Sequence, residues 1–169
     1  MASAERSQTA AIEAAALVPA EPKEVFDFLS DLGNHWLLAS RFVEVVELDR
    51  SSPGAPCDSG IVRLRGPLGL RRTAHTKVTA ARAPRLMIGT AEVPGGTRAR
   101  VSWTLARRLG ETRVRLSAEV DCARWLDRLL LALGGRRWLE RRFQETLEAL
   151  GADLGVTARP DPEPLAAQA

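Results

Sequence analysis

Apolar and polar residues alternate with a period of two through the middle of the chain, which is the pattern of strands with one buried face. The alternation is clearest at residues 112–120, where Val114, Leu116, Ala118 and Val120 share one face and mostly charged residues share the other. Segments rich in proline and glycine separate the runs at hairpin spacing. The pattern predicts an antiparallel meander of six strands, at residues 42–48, 60–64, 70–80, 86–93, 98–106 and 112–120.

A shorter segment at residues 12–18 precedes the meander. Ile12, Ala14, Ala16 and Val18 share one face of this segment if it is extended, although its alanines support a helix equally well. We place it first in the predicted order as a strand and leave the helical alternative open.

Two short helices are predicted between this segment and the meander. Pro22 suits the first turn of a helix, and Gly33 is expected to end that helix. Asn34 is expected to cap a second helix at residues 35–40. The apolar residues of the first helix follow the spacing i, i+3, i+4, i+7 and are Val25, Phe28, Leu29 and Leu32.

The last predicted element is a long amphipathic helix that extends to Leu154. Paired glycines, Gly134 and Gly135, interrupt its apolar stripe and are expected to break or kink it. We predict one domain at residues 11–154, a flexible N-terminus at 1–10 and a disordered proline-rich tail at 155–169.

Composition bounds the class of protein and its partners. With 169 residues, 45% of them hydrophobic and 27% charged, the chain has the size and composition of one globular domain with a true core. The net charge of +3 comes from 24 basic residues that are interspersed with 21 acidic ones. This distribution predicts a mildly basic surface and no nucleic-acid partner.

The two cysteines, Cys57 and Cys122, form neither a disulfide framework nor a zinc-ligand spacing. We therefore expect no metal and no cofactor, and a reducing, cytoplasmic location. The longest apolar run is far shorter than the roughly 18 to 20 residues of a membrane span, so integral membrane association is not expected. The N-terminus does not have the order of a signal peptide.

Three segments carry a resemblance to a known family. They read VPAEPKEVFDFLSDL at 18–32 with NHW at 34–36, GETRVRL at 110–116, and RWLERRFQETLEAL at 137–150. Together with the element order, they resemble the START-like helix-grip superfamily (SRPBCC), in its bacterial branch named for polyketide cyclases/dehydrases and lipid transport. The resemblance spans residues 11–154.

The resemblance implies an α+β helix-grip fold, in which a curved antiparallel sheet of about seven strands wraps around a long C-terminal helix, with two short helices after strand one. It also implies an apolar cavity between sheet and helix, used elsewhere in the family for lipids, polyketides and related ligands.

The inward face of the predicted sheet includes small residues such as Ala74, Thr76 and Ala118, which would leave volume beneath the helix. Alternatively, small residues let the helix approach closely, with Phe143 and Leu147 filling the gap. For the cavity hypothesis, the candidate ligand-binding residues are Trp36, Phe42, Leu64, Arg72, Thr76, Trp103, Leu105, Leu116, Leu139, Phe143 and Leu147.

Polar candidates are few. His35 is interpreted either as a contact at the pocket mouth or as a partly exposed residue at a helix start. Arg72 is either a rim cation for a carboxylate or phenolate, or a solvated residue at a strand end. His75, Arg63 and Arg65 alternate with inward residues and are expected on the outer face.

No common catalytic signature occurs, so the catalytic residues stay unknown. Aromatase and cyclase relatives use pocket tyrosines, an arginine and histidines, whereas this chain has no tyrosine. We favour a noncatalytic domain that binds a hydrophobic small molecule, and keep a cyclase or dehydratase that uses Arg72 and His35 as the alternative.

A third hypothesis is a protein- or membrane-interaction module. In it, the last helix would dock through Trp138 and the arginines beside it, Arg136, Arg137, Arg141 and Arg142. Acidic residues are interleaved with these arginines, which favours a solvated helix face. A homodimer is left open.

Overall fold

Seven strands and four helical segments make up the described part of the chain, in a computed structural model that covers residues 11–50, 52, 56–66, 69–123 and 125–157. This arrangement confirms the predicted α+β helix-grip fold. In chain order the elements are β1 (Ile12–Val18), α1 (Pro22–Leu29), α2 (Leu32–Leu38), β2 (Val43–Arg50), β3 (Cys57–Arg65), β4 (Arg71–Arg82), β5 (Leu86–Val93), β6 (Thr97–Arg108), β7 (Glu111–Cys122), α3 (Trp125–Leu130) and α4 (Arg136–Thr157).

The strands form one antiparallel sheet in the order β1-β7-β6-β5-β4-β3-β2. Strands β2 to β7 follow one another as the predicted meander, and β1 adds at the far edge beside β7. The ambiguous segment is thus a strand, because its ends pair Ile12 with Ala118 and Val18 with Thr112. Both end residues are buried, which explains why burial overrides the helix propensity of the alanines between them.

The boundary between the two short helices differs from the prediction. The first helix ends at Leu29, and the carboxylate of Asp31 caps the second helix by accepting the main-chain N–H of Gly33 at 2.8 Å. Asn34 lies inside α2 and donates from its side chain to the carbonyl of Phe28 at 2.7 Å. Gly33 as a helix end and Asn34 as a cap were therefore wrong, because the aspartate three residues earlier takes the capping position.

The glycine pair kinks the last helix, as predicted. Between α3 and α4 the turn Leu131–Gly135 has non-helical backbone angles at Leu133 (φ −81°, ψ 19°) and at Gly134 (φ 112°). A positive φ of this size favours glycine. Helix α4 continues to Thr157, three residues past the predicted domain end. The rest of the predicted tail and the N-terminus at 1–10 lie outside the described residues.

The main core lies where the C-terminal part of α4 packs on the sheet and on α1. Burying a large apolar side chain fully stabilises the fold by about 1.5 to 3 kcal/mol. We call this region the packed half and define it by Val18, Val25, Leu29, Leu105, Val114, Leu147, Leu150 and Leu154, all buried in one cluster.

Candidate ligand-binding site

A cavity of about 600 Å³ lies beneath the N-terminal part of α4, between that helix and the sheet. This volume falls within the range of about 300 to 1,000 Å³ that is common for small-molecule sites. Its wall is formed by α2, residues from all seven strands, α3 and the first turns of α4. We call this region the cavity half.

Successive residue pairs across β6 and β7 explain why space opens there. The inward pair Leu105 and Val114 belongs to the packed half, and Trp103 opposite Leu116 marks the boundary. One step further, Val101 pairs with Ala118 in the cavity wall. The wall residues become smaller along the strands, so the same helix and sheet leave volume at one end.

On the helix side, the wall is made by Trp138, Leu139, Phe143 and Thr146. The ring of Trp138 meets Phe42 edge to face, with 5.9 Å between the ring centroids. This aromatic contact joins the start of α4 to the segment before β2 and closes one side of the cavity.

The structure brings nine of the eleven predicted ligand-binding residues into the cavity wall; their contact with a ligand stays a prediction. Leu105 and Leu147 lie outside the wall, in the packed half, where they are nearly or fully buried. They share the inward faces of their elements, but each lies too far toward the packed half to reach the cavity. The nine wall residues are Trp36, Phe42, Leu64, Arg72, Thr76, Trp103, Leu116, Leu139 and Phe143.

His35 is buried, with only 8% of its surface exposed, so its interpretation as a partly exposed helix-start residue was wrong. Its Nε2 lies 2.6 Å from the carbonyl oxygen of Leu29, and its ring meets that of Trp103 edge to face at 5.3 Å. Burial lowers the pKa of His35, and this effect outweighs the Leu29 carbonyl and the negative charge of Asp31, which raise it. The ring is therefore neutral at pH 7, with its Nε2–H donating to Leu29.

Arg72 is also in the wall, but it is not a free cation. Its guanidinium donates to Asp127 on α3 at 2.7 Å, and the Thr97 hydroxyl donates to the other oxygen of that carboxylate. The side chains of Arg72 and Asp127 are 29% and 16% exposed. Among the described wall residues these two carry the only formal charges, and they neutralise each other.

Sequence reasoning missed the wall positions of Asp127, Thr97 and Thr146, and placed Trp138 on a docking surface. Trp138 lies on the wall beside Leu139, and Thr146 follows Phe143 by three residues. The spacing Leu139, Phe143, Thr146 was the signal that would have identified Thr146. Trp138 is one residue from Leu139, so helical spacing does not identify it. No comparable signal marks Asp127, because its partners are distant in sequence.

The other polar candidates lie elsewhere. His75 is exposed, and Arg63 and Arg65 form ion pairs with Glu44 on the outer face, as the alternation predicts. Burial raises the pKa of the Cys57 thiol, which donates to the carbonyl of Asp49 at 2.9 Å. This thiol is therefore a poor nucleophile.

The described residues contain no cluster of three or more metal-ligating side chains. None of the helices within them is long and apolar enough to cross a bilayer.

A sheet that grips a C-terminal helix around an apolar cavity defines the START-like helix-grip class. Within it, the chain belongs to the polyketide cyclase/dehydrase and lipid transport family, whose model matches residues 9–155. No curated protein matches the sequence.

Solved structures share the fold at low sequence identity. The KanY protein (ms6282) has a TM-score of 0.69 at 18% identity, over 88% of this chain and 99% of that one. TTHA0849 from Thermus thermophilus has a TM-score of 0.66 at 15% identity, over 89% and 100%. Protein Ms6760 from Mycobacterium smegmatis has a TM-score of 0.63 at 16% identity, over 89% and 92%. At such identity, the likeness concerns the fold alone.

Proposed function

We propose that this chain binds a hydrophobic small molecule, a lipid or a polyketide-like metabolite, in the cavity half and carries it without transforming it. The observation that carries the proposal is the cavity of about 600 Å³, whose wall is apolar apart from one neutralised ion pair, one histidine and a few hydroxyls. A site of this kind selects its guest by size and apolar surface.

The physical chemistry of the wall favours an apolar guest. Side chains that face empty space lose dispersion contacts on that side, and a guest of matching shape restores them. Each methylene group moved from water into the cavity contributes about 0.8 kcal/mol. A strongly polar guest would lose its hydration and find few partners in return.

The test compares the wild-type protein with two matched variants on β6. Ala99 lies in the cavity wall and Ala106 is exposed on the opposite face of the same strand. Native mass spectrometry after incubation with a lipid mixture should show a bound apolar species in wild type and in Ala106→Phe. Ala99→Phe, which fills part of the cavity, should lose most of it.

Equal ligand loading of both variants would overturn the proposal, as would a wild-type protein that stays ligand-free with every lipid class offered. Circular dichroism and the urea midpoint of each variant check that both are folded.

A second candidate, a cyclase or dehydratase, is favoured by one observation: His35 and Arg72 line the same cavity. A neutral histidine is a competent proton acceptor, and a guanidinium is suited to an enolate. Two observations oppose this candidate: Arg72 already forms an ion pair with Asp127, and the chain has no tyrosine. Turnover of a poly-β-ketone analogue by wild type that falls at least a hundredfold in both His35→Ala and Arg72→Ala would replace the carrier proposal by this one.

The proposal also assigns the carrier to a bacterial cytoplasm. Cys57 is a free, buried thiol, which suits a reducing compartment. Fractionation of cells that express the tagged chain should recover it in the cytoplasmic fraction, and recovery in a membrane or exported fraction would contradict this assignment.

A further inference from the structure

The polar groups that the cavity wall offers to a guest are mainly hydrogen-bond acceptors. The hydroxyl of Thr76 donates to the carbonyl of Gly60 at 3.2 Å, and the hydroxyl of Thr146 donates to the carbonyl of Arg142 at 2.9 Å. Both hydroxyl hydrogens are thus committed to the protein. What each threonine offers to a guest is an oxygen lone pair, which only accepts hydrogen bonds.

His35 presents the same polarity. Its Nε2–H donates to Leu29, so in the neutral ring Nδ1 carries a lone pair and acts as an acceptor. Nδ1 has no hydrogen-bonding partner among the described residues, and the His35 ring forms part of the cavity wall. The contact between this ring and Trp103 holds it in place.

The donors of the wall are less accessible to a guest. Trp36 Nε1 has no partner among the described residues, but protein atoms cover it completely. Arg72 is engaged by Asp127, and the second oxygen of Asp127 accepts from Thr97. An anionic head group at Arg72 would lie beside the carboxylate of Asp127, which already neutralises that guanidinium and would repel a second negative charge. Elsewhere in the wall the head group would face acceptor lone pairs.

From this arrangement, which rests on the proposed function, we infer that the guest carries an uncharged hydrogen-bond donor, an alcohol or phenol hydroxyl, and that His35 Nδ1 accepts its hydrogen. The apolar body of the guest lies against the small residues of the sheet, and the charged pair at α3 takes no part in recognition. The cavity therefore selects neutral hydroxylated molecules over fatty acids.

Three probes that share one aromatic body test the inference. 1-Naphthol offers a hydroxyl donor, 1-methoxynaphthalene offers an acceptor only, and 1-naphthoate is an anion. At pH 7 a phenol with an ordinary pKa of about 10 is un-ionised. Isothermal titration calorimetry should show naphthol binding about five- to tenfold more tightly than methoxynaphthalene, which is the worth of one hydrogen bond, and more tightly than naphthoate.

Two variants of His35 assign the preference to this residue. His35→Phe removes the acceptor while keeping an aromatic ring, so naphthol and methoxynaphthalene should bind it equally. His35→Gln keeps both a donor for Leu29 and an acceptor, so it should retain part of the preference for naphthol.

Ring ¹⁵N NMR on the wild-type protein gives a direct readout even if His35→Phe does not fold. The Nδ1 resonance of His35 should shift on addition of naphthol and stay near its free position with methoxynaphthalene. The chain has two histidines, and His75 is exposed, so its resonances are an internal control.

Each outcome has a distinct meaning. Naphthoate as the tightest probe, or equal affinity for naphthol and methoxynaphthalene in wild type, would overturn the inference and leave the carrier proposal standing. A naphthol preference that is unchanged in a folded His35→Phe protein would overturn the assignment to His35. Failure of all three probes to bind would overturn the inference, whereas the proposed function is decided by the separate lipid-loading test.

Discussion

The packed half and the cavity half are built from the same helix and the same strands, yet one is solid and the other borders a cavity of about 600 Å³. In the packed half, α4 presents Leu147 and Leu150, both fully buried. In the cavity half, the same helix presents Phe143 and Leu139, which are only partly buried although they face inward. The sheet changes from large to small side chains in the same direction.

The comparison teaches that the cavity depends on side-chain volume rather than on backbone architecture. Protein interiors pack at a density of about 0.75, and an unfilled interior is normally unfavourable. The packed half supplies burial that stabilises the fold, whereas the small residues opposite the start of α4 keep space open. This separation suits the proposed carrier function, because the packed half stabilises the fold whether or not the cavity half holds a ligand.

The largest expected effect comes from the same truncation in the two halves. Leu147→Ala in the packed half should lower the free energy of unfolding by about 2 to 5 kcal/mol, because it leaves a cavity in a filled core. Leu139→Ala should lower it by less than about 1.5 kcal/mol, because that side chain already borders open space. Urea denaturation measures both, and equal losses would contradict the distinction between the halves.

Enlarging a small residue should also destabilise the packed half more than the cavity half. Ala20 is buried in the packed half, and Ala20→Leu should lower the free energy of unfolding by about 1 to 3 kcal/mol through overpacking. Ala118 borders the cavity, so Ala118→Leu should be tolerated with a change below about 1 kcal/mol. Urea midpoints measure the stability of both variants. A larger loss of stability for Ala118→Leu than for Ala20→Leu would show that the space beside Ala118 is already filled by side chains.

The stability of the protein should depend on pH through His35, which lies at the boundary between the halves. Burial lowers its pKa below the ordinary value of 6.5, so the unfolded chain takes up a proton first as the pH falls. The contribution of neutral His35 to the free energy of unfolding is fully present above about pH 6.5. It is lost as the pH falls below this value, by at most about 1.4 kcal/mol per pH unit. Urea titrations between pH 7.5 and pH 5.5 should show this slope in wild type and a smaller one in His35→Gln; identical slopes would contradict it.

The smallest expected effect concerns the ion pair at the cavity rim. Arg72→Met should change the free energy of unfolding by less than about 1 kcal/mol, because partly exposed pairs are worth little. It should, however, speed ligand release, since α3 loses its tie to β4. Arg65→Met on the outer face is the matched control and should change neither quantity. Stopped-flow displacement of a bound fluorescent ligand checks the rates, and equal release rates in the two variants would contradict this role for the pair.

The sequence predicted which face of each strand or helix points inward better than it predicted which half of the molecule each inward residue lies in. Alternation identified Leu105, Trp103 and Val101 as inward neighbours, and the structure agrees. It could not distinguish Leu105 in the packed half from Val101 in the cavity wall, because periodicity specifies a side of a strand and not a position between its ends.

Tertiary contacts decided the remaining differences. Asp31 and Asn34 are both good helix caps, and in the structure Asp31 takes this position. With the helix starting there, His35 lies in the interior, where only 8% of its surface stays exposed. The same contacts bring Asp127 to Arg72, a partner 55 positions away along the chain. Neither event has a local sequence signal.

The most direct test of the account is a crystal structure of the protein under xenon pressure. Dry apolar cavities of sufficient size bind xenon, whereas filled cores exclude it. We expect a strong xenon peak between Ala118 and Phe143, and none among Leu147, Leu150 and Leu105. A cavity half without xenon and filled by its own side chains would contradict the account.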